Sequence, residues 1–416
     1  MNIYRYGANV MSDVVDSRLV VEAFSGKLDL MSNDGLGGMP DRMMLIGERG
    51  SGKSVVLNQA VLHARKSGWL CMFVPDGFDH SHGGVYVEPT PGKRGLYDNT
   101  MMSAELLRGF YRAHAEQLND IPVEEKDLLK KYERHIEKFR EKWDLALKVP
   151  GRENLNFTEM RAIILGEDYN PDEHDADNEL LRDFDFYGLS PSSVGDLVRM
   201  GLAFHEYSGL AVMDVVSELK ALKRDGMPVL FAVDQFNAWE DMSAFHYRDK
   251  ALHSRDICVP AALSFLSRKK DTVAEWKVAN GLCIAATSFK HAADGGLTTY
   301  RDSKSSMPLV VEVPEYSAAE FASALDNYDL RRMTERAPSP GEVEAFRMAV
   351  GNNPEKMRLE ITKYFYRLSA DDDIGGIEAG LEEDDEGLEA AHALSEDSTK
   401  NLLDSVIGER QRSPSS

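Results

Sequence analysis

One glycine-rich segment constrains this chain more than any other, the eight residues Gly47 to Ser54 with the sequence GERGSGKS. They match the pattern G-x-x-x-x-G-K-[ST]. The apolar run Met43 to Ile46 comes before them, and apolar residues recur at helical spacing after them, from Val55 to Leu62. A strand, a glycine turn and a helix start form a cradle in which backbone amides and a helix N-terminus face a phosphate.

Each residue type in this pattern predicts a role. Lys53 would reach the β and γ phosphates of a nucleotide, and the Ser54 hydroxyl would hold Mg²⁺. A chance glycine turn is the alternative, but both flanks favour the phosphate loop. The loop residues whose amides would surround the phosphates are Gly47, Gly50, Ser51 and Gly52.

Length and charge limit the class of protein. With 416 residues, of which 43% are hydrophobic, the chain can form two or three globular domains. No uninterrupted apolar run approaches the roughly 18 residues of a membrane span, so we expect a soluble chain with no membrane partner. The formal net charge of -22 argues against a general binder of nucleic-acid backbones, which needs clustered Lys and Arg.

The cysteines and the two ends of the chain add further expectations. Cys71, Cys258 and Cys283 lie far apart, which predicts buried apolar fillers in a reducing compartment and no disulfide or zinc framework. Behind Met1 the sequence shows neither a signal peptide nor a transit peptide. The acid-rich residues 370–416 predict a disordered tail.

Short apolar runs predict a parallel sheet with helices on both faces, in βαβ order. After the first helix, Gly68 should end the helix, and the next strand should return beside the first. The fold class is therefore α/β, a P-loop NTPase of the AAA+-like type. The predicted strands are Arg42 to Ile46, Trp69 to Val74, Val229 to Val233, Leu282 to Ala286, and Leu309 to Val313.

Three domains are predicted along the chain. Residues 1–315 would form the nucleotide-binding domain, with a charged insertion at about 122–185 that carries one helix with a narrow apolar stripe. Residues 316–369 would form a helical lid. Its first helix begins at a capping box of Ser317 and Glu320, its second covers Pro340 to Val350, and its third starts at Glu355.

The second half of the nucleotide site is predicted at Asp234, which follows the apolar run Leu230 to Val233. A carboxylate at the end of a buried strand beside the cradle can hold Mg²⁺. The next residue is Gln235, where AAA+ proteins commonly have a Glu that polarises water. Because Gln can orient water but cannot accept its proton, we expect slow hydrolysis. Surface roles are expected for Glu240 and Asp241.

Other polar residues are weaker candidates. Thr287 and Ser288 end the fourth strand, where a polar side chain could contact the γ-phosphate, although a plain hydroxyl at a strand end fits equally well. Lys356 and Arg358 in the lid could reach back to the phosphates. The segment from Asp76 to His82 resembles a metal loop but lacks further spaced ligands, so a polar loop is expected.

Several segments together carry a resemblance to a known family. They are the P-loop, Pro75-Asp76, Tyr97 to Asn99 with the helix at Leu106 to Phe110, Val233 to Trp239, Val313 to Ser317 with Glu320, and Gly351 to Pro354. Together they resemble the family of death-associated protein 3, the GTP-binding proteins of the mitochondrial small ribosomal subunit. The resemblance spans about residues 1–368, without the insertion and the tail. The family tends to have Asp-Gln-Pro where this chain has Asp98, Asn99 and Thr100, and many members are basic.

The resemblance implies a structural protein in the head of the small subunit, near the contact with the large subunit, in the mitochondrial matrix. It implies GTP or GDP with Mg²⁺ as a resident ligand, while ATP stays open because the sequence has no N-K-x-D element. Neighbouring ribosomal proteins, and rRNA to a lesser extent given the acidic charge, would be the partners.

Two other functions fit the same motifs. An active AAA+ or signalling ATPase that remodels protein or DNA would assemble into a ring and need an arginine from a neighbouring subunit, for which Arg301 is the candidate. A degenerate P-loop domain would bind nothing. Nucleotide turnover and co-purifying nucleotide distinguish the three.

Overall fold

The computed structural model describes residues 42–124, 128–152, 155, 157–166, 179–181, 192–222, 226–265, 278–288, 309–330 and 337–374. Contacts divide the chain into two units, Met1–Ile361 and Thr362–Ser416. The fold described below is that of the first unit. The predicted tail lies outside the described residues apart from 370–374, which continue the last helix.

Nine strands are found in the described residues. Five form a parallel sheet, and the other four form two antiparallel hairpins. Their bounds are β1 (Arg42–Ile46), β2 (Leu70–Val74), β3 (Glu88–Pro89), β4 (Tyr97–Asp98), β5 (Val229–Val233), β6 (Met242–Tyr247), β7 (Lys250–His253), β8 (Gly281–Ala286) and β9 (Leu309–Glu312).

The α-helices of the described residues cover both faces of the sheet. Short 3-10 turns follow at 205–207, 236–240 and 254–256. The helices are α1 (Lys53–Lys66), α2 (Gly77–His82), α3 (Thr100–Asp120), α4 (Leu128–Leu147), α5 (Phe157–Leu165), α6 (Val194–Ala203), α7 (Ser208–Ala221), α8 (Cys258–Ala262), α9 (Ala318–Leu330), α10 (Pro340–Val350) and α11 (Pro354–Ile374).

The strand order is β2-β5-β8-β1-β9, with every pair parallel. The five predicted strands and the α/β class are confirmed. The expectation that the second strand returns beside the first was wrong, because β5 and β8 lie between β1 and β2. The local sequence pattern identifies a strand, but the order of the strands in the sheet depends on packing between distant segments.

The sheet separates two apolar cores because alternate side chains of each strand point to opposite faces. Met43 and Leu45 pack against α1, whereas Met44 and Ile46 belong to the larger core beneath α3, α6 and α7. Strands buried on both faces have continuous apolar sequences, as β5 does with all five residues buried. The carboxyl ends of the central strands are thereby held rigidly.

Helix α3 closes the edge of the sheet at β2. Asn99 caps its N-terminus by accepting a bond from Met102 N. The helix is kinked at His114, where the backbone is non-helical with φ -141°. There the imidazole Nε2 accepts a hydrogen bond of 3.1 Å from the backbone N-H of Cys71 on β2, so an outward amide of the edge strand has a partner.

Helix α4 lies within the predicted charged insertion, yet its apolar stripe packs into the larger core. Phe139 and Trp143 contact the ring of Phe157 at centroid distances of 6.2 and 5.5 Å. The hydroxyl of buried Tyr132 donates to Asp214 on α7 over 2.8 Å. The stripe therefore covers core surface, and charged residues of α4 are exposed, among them Glu137, Lys138, Glu141 and Lys142.

The structure corrects the prediction for the segment after β2 and confirms the capping box of the lid. The segment after β2 is a short helix, α2, and not a polar loop, because the Asp76 carboxylate caps it by accepting from Phe78 N. In the lid, Ser317 and Glu320 exchange capping bonds, as predicted. All three cysteines are free and buried. Among the described residues, no helix is long and apolar enough to cross a bilayer.

Candidate phosphate-binding site

The register of the sheet places the predicted site residues at one edge. Val233 on β5 lies opposite Ala285 on β8, and Leu45 on β1 lies opposite Ala286. Asp234, Thr287 and the glycine loop therefore follow the same carboxyl edge of three adjacent strands. Ligands of open parallel sheets bind outside this edge.

The loop between β1 and α1 needs glycine at its turning points. Gly50 and Gly52 have φ values of +77° and +95°, in the left-handed region. At Gly47 a Cβ would lie 2.5 Å from the carbonyl oxygen of Val313, so the backbone of the loop runs against the segment after β9. The glycines thus let the loop turn closely into the N-terminus of α1, as a phosphate cradle requires.

Lys53 is folded against its own loop. Its Nζ donates to the carbonyl oxygens of Gly47 and Glu48, over 3.0 and 2.7 Å, and only 7% of the residue is exposed. Burial lowers the pKa of Lys53, and the negative charges of Asp234 and Glu355 oppose that shift. A positive charge is therefore held at the loop with little surrounding water.

Asp234 and Ser54 form a pair beside this lysine. The Ser54 hydroxyl lies near the Asp234 carboxylate, which accepts a hydrogen bond from Gln235 N over 2.8 Å. Burial raises the pKa of Asp234 to about 6, with a further increase from Asp76, while the bonds from Ser54 and Gln235 and the charge of Lys53 lower it. A carboxylate and a hydroxyl thus lie close together, and their role as Mg²⁺ ligands stays a prediction.

The raised pKa predicts a pH-dependent stability. In the folded state Asp234 keeps its proton up to a pH of about 6, whereas the ordinary pKa of an aspartate is 3.8. Because the unfolded chain releases this proton more readily, the protein loses stability as the pH rises from 3.8 to about 6. Asp234→Asn removes the charge, and without Mg²⁺ we expect it to stabilise the protein by on the order of 2 kcal/mol above about pH 7, with no gain below about pH 4. Urea unfolding at both pH values measures the difference.

The matched control is Asp249→Asn, an exposed acid in the turn between β6 and β7. It removes the same charge and should not change the stability difference between the two pH values. An equal response of both variants would contradict the raised pKa of Asp234.

Gln235 has a left-handed backbone, with φ 54°, at the turn from β5 into the 3-10 turn. Its predicted role in positioning water stays a prediction. Of the two acids further along, Glu240 is engaged with Arg255, whose Nη2 lies 2.9 Å from its carboxylate, and Asp241 is exposed. The expected surface position thus fits Asp241, whereas the Glu240 side chain is only 18% exposed.

Two polar groups tie β8 to the rest of the site. The side-chain amide of Asn237 donates to Ser288 O over 2.7 Å and accepts from Ser288 N over 2.8 Å. The Thr287 hydroxyl is buried and bonds to Leu45 O at 3.4 Å. Thr287 thus lies beside the strand that precedes the loop, and its contact with a γ-phosphate stays a prediction.

The backbone after β2 supports the backbone after β5. Gly77 N donates to Asp234 O over 2.9 Å, and the buried indole of Trp239 donates to Gly77 O over 2.6 Å. A Cβ at Gly77 would lie 2.7 Å from Asp234 O, so the two backbones touch at this glycine. Trp239 therefore holds the turn that carries Asp234.

The lid supplies a contact that the sequence motifs did not reveal. Asn353, before Pro354, donates its amide to Arg49 O over 2.7 Å and to Glu315 over 3.1 Å. Its Oδ1 accepts from the amides of Glu355 and Lys356, so it also caps α11. Asn followed by Pro is a common helix start, which indicated the cap but not the bond to the loop.

The other lid candidates are placed differently. Lys356 and Arg358 are exposed, and besides Asn353 it is Glu355 that approaches the loop, where its N-H donates to Gly50 O over 3.2 Å. Arg301 lies outside the described residues. Within the described part of the chain, no group of three or more His, Cys, Asp or Glu residues is placed to hold a metal ion.

Comparison with solved structures gives distant similarities. The Aeropyrum pernix ORC2 protein in ADPNP-ADP complexes is 12% identical over 84% of this chain and 60% of its own, with a TM-score of 0.33. The bacterial conjugative coupling protein TrwBdeltaN70, in an unbound form, is 12% identical over 72% of this chain and 79% of its own, with a TM-score of 0.26. The chain thus spans about 60% of the length of the first. With TM-scores this low, neither structure carries an argument about this chain.

No curated protein matches the chain. A family model described as mitochondrial ribosomal death-associated protein 3 matches residues 26–156. The match contains the glycine loop with Lys53, the turn at Asp76 and helix α3. It also contains α4, which the sequence analysis had set apart as an insertion. This match, over 131 of the 416 residues, supports the resemblance of the chain to the family of mitochondrial ribosomal death-associated protein 3.

Proposed function

We propose that this chain is a structural protein of the mitochondrial small ribosomal subunit that holds a nucleotide with Mg²⁺ and hydrolyses it slowly or not at all. One observation carries the nucleotide site: the buried Asp234 carboxylate lies near the Ser54 hydroxyl and Lys53, whose ammonium is bound to the glycine loop. A lysine, a hydroxyl and a carboxylate at one helix N-terminus fit a phosphate chain with its metal.

The donor set fits Mg²⁺, which prefers oxygen ligands and retains several waters. Ser54 and Asp234 would hold the ion, directly or through water, and the ion would neutralise charge on the phosphate oxygens. The pKa of Asp234 is about 6, so above neutral pH its carboxylate is ionised and can bind the metal. Lys53 would then donate to phosphate oxygens in place of the carbonyls of its own loop.

The residues around this pair favour slow hydrolysis. Gln235 follows Asp234 and has no proton-accepting group strong enough to act as a general base. Glu240, the next carboxylate along the chain, is engaged with Arg255. A bound nucleotide would therefore act as a resident ligand that orders the loop and the lid.

We expect the purified chain to turn over GTP and ATP at less than about one molecule per minute, the range of P-loop proteins that lack a partner's arginine. Phosphate release under saturating Mg-nucleotide measures this rate. A matched variant, Gln235→Ala, should change it little if the side chain does not act on water. Turnover of several molecules per second by the isolated chain would contradict the resident-ligand role and favour an active ATPase.

The ribosomal assignment rests on the family match and on charge. The family whose model matches residues 26–156 is one of mitochondrial ribosomal proteins. A chain with a formal net charge of -22 is suited to docking through neighbouring proteins more than through rRNA backbone. We therefore propose ribosomal proteins as the main partners, a position near the contact with the large subunit, and the mitochondrial matrix as the compartment.

Sedimentation of isolated mitochondrial ribosomes tests this assignment directly. The chain is expected to sediment with small subunits, and denaturing them should release GDP or GTP in an amount equal to that of the chain. Release of adenine nucleotide would correct the base and keep the site. A chain that sediments only as a free protein would contradict the ribosomal role.

A further inference from the structure

We propose that Glu355 makes this site select nucleoside diphosphates over triphosphates by placing a negative charge beside the glycine loop. The inference rests on the proposed function, because it concerns the phosphate end of the same site. Glu355 belongs to the lid, and its backbone N-H donates a hydrogen bond to the carbonyl oxygen of Gly50, the residue at which the loop turns.

The carboxylate lies over the loop itself. A Cβ added at Gly50 would be 2.7 Å from Glu355 Cβ and 2.9 Å from Glu355 Oε2. The side chain thus fills the space above this glycine, and only a residue without Cβ fits beneath it. An acidic group is in contact with the backbone that would bind an anion.

Asn353 keeps Glu355 in this place. Its side chain bonds Arg49 O with its amide and Glu355 N with its carbonyl oxygen, over 2.7 and 3.1 Å, and the residue is buried. Two loop residues are therefore joined to the start of α11, Arg49 by the Asn353 side chain and Gly50 by the backbone N-H of Glu355. These bonds keep the backbone of Glu355 beside the loop.

The charge of Glu355 is only partly neutralised. The nearest cation in the loop is Arg49, whose Nε lies 3.9 Å from Glu355 Oε2, and the Arg49 side chain is 79% exposed. An exposed pair at this distance is weak. The field of Glu355 also reaches Lys53, where it counteracts the lowering of the lysine pKa by burial.

This field acts more strongly on a longer phosphate chain. A triphosphate carries about one more negative charge than a diphosphate, and a carboxylate within several ångströms repels it more. Because the Glu355 side chain is 40% exposed, water screens part of the repulsion. We expect removal of the charge to strengthen triphosphate binding about three- to tenfold more than diphosphate binding.

The test measures affinities of the full chain for GDP, ADP and the non-hydrolysable βγ-imido analogues of GTP and ATP, all with Mg²⁺. Glu355→Gln keeps the backbone bonds and removes the charge, and Glu355→Lys reverses it. Glu116→Gln, on the exposed face of α3, is the matched control with the same change in net charge. Thermal unfolding of each variant checks the fold.

The ratio of triphosphate to diphosphate affinity is expected to rise in Glu355→Gln, to rise further in Glu355→Lys, and to stay constant in Glu116→Gln. The increase should shrink at high salt, which screens the repulsion. Acids in the first turn of a helix also stabilise it, and such a role alone would change the unfolding temperature without changing the ratio. An unchanged ratio with nucleotide still bound would overturn the role of Glu355 and keep the nucleotide site. Absence of binding in every variant would overturn both.

Discussion

Replacement of Lys53 by Ala is expected to weaken Mg-nucleotide binding by at least about a hundredfold, or about 3 kcal/mol, because a charged donor to the phosphates is lost. The stability of the ligand-free protein should change by less than about 1 kcal/mol, since the buried ammonium is itself desolvated, as its lowered pKa indicates. Calorimetric titration with GDP and GTP measures the affinity, and urea unfolding measures the stability.

The control is Lys66→Ala, which removes an exposed lysine from the last turn of the same helix. It should bind nucleotide like the unmodified chain. In mitochondria, failure of Lys53→Ala to enter small subunits would support the structural role, whereas normal assembly with loss of a nucleotide-dependent activity would support a motor. Unchanged affinity in Lys53→Ala would remove the loop from the account of nucleotide binding.

The second large effect is expected at Trp239, a fully buried side chain after β5. Trp239→Ala should destabilise the protein by about 3 to 5 kcal/mol, because it leaves a cavity and deprives Gly77 O of its partner. Trp239→Phe retains most of the packing against Phe236, whose ring lies 5.4 Å away, and removes only the N-H donor. Its cost should be about 1 to 2 kcal/mol.

Urea denaturation of the two variants separates packing from the hydrogen bond. The Phe variant should also bind Mg-nucleotide less tightly, because Gly77 in turn supports the backbone of Asp234. Equal destabilisation by Ala and Phe would show that packing contributes little here. Unchanged nucleotide affinity in both variants would mean that the turn at Asp234 is held by other contacts.

Much of the fold could be predicted because its patterns are local. The apolar runs of β1 and β5 were predicted with the bounds that the structure has, since a strand buried on both faces shows as an unbroken apolar run. The cradle was predictable from spacing, because Gly47 and Lys53 must stand at fixed positions for the loop to close. Helix α10 was predicted in the same local way, because Pro340 favours a helix start and Gly351 favours a helix end.

What could not be predicted depends on contacts between distant segments. The position of β2 at the sheet edge follows from β5 and β8 entering between it and β1, and no property of the β2 sequence encodes that. Asn353 and Glu355 lie about three hundred positions after the loop that they contact. A helix start and a segment that contacts the glycine loop have the same local sequence here, so only the folded chain reveals the contact.

The bond between His114 and Cys71 has a consequence for the behaviour of the protein in concentrated solution. Parallel sheets with open edges can recruit strands from other molecules, which leads to aggregation. Here the His114 imidazole accepts a hydrogen bond from the outward-facing N-H of Cys71 on β2, and the kinked helix α3 lies against that edge. Chains that crowd together during synthesis or assembly therefore find no free hydrogen-bond donor at Cys71 for a foreign strand.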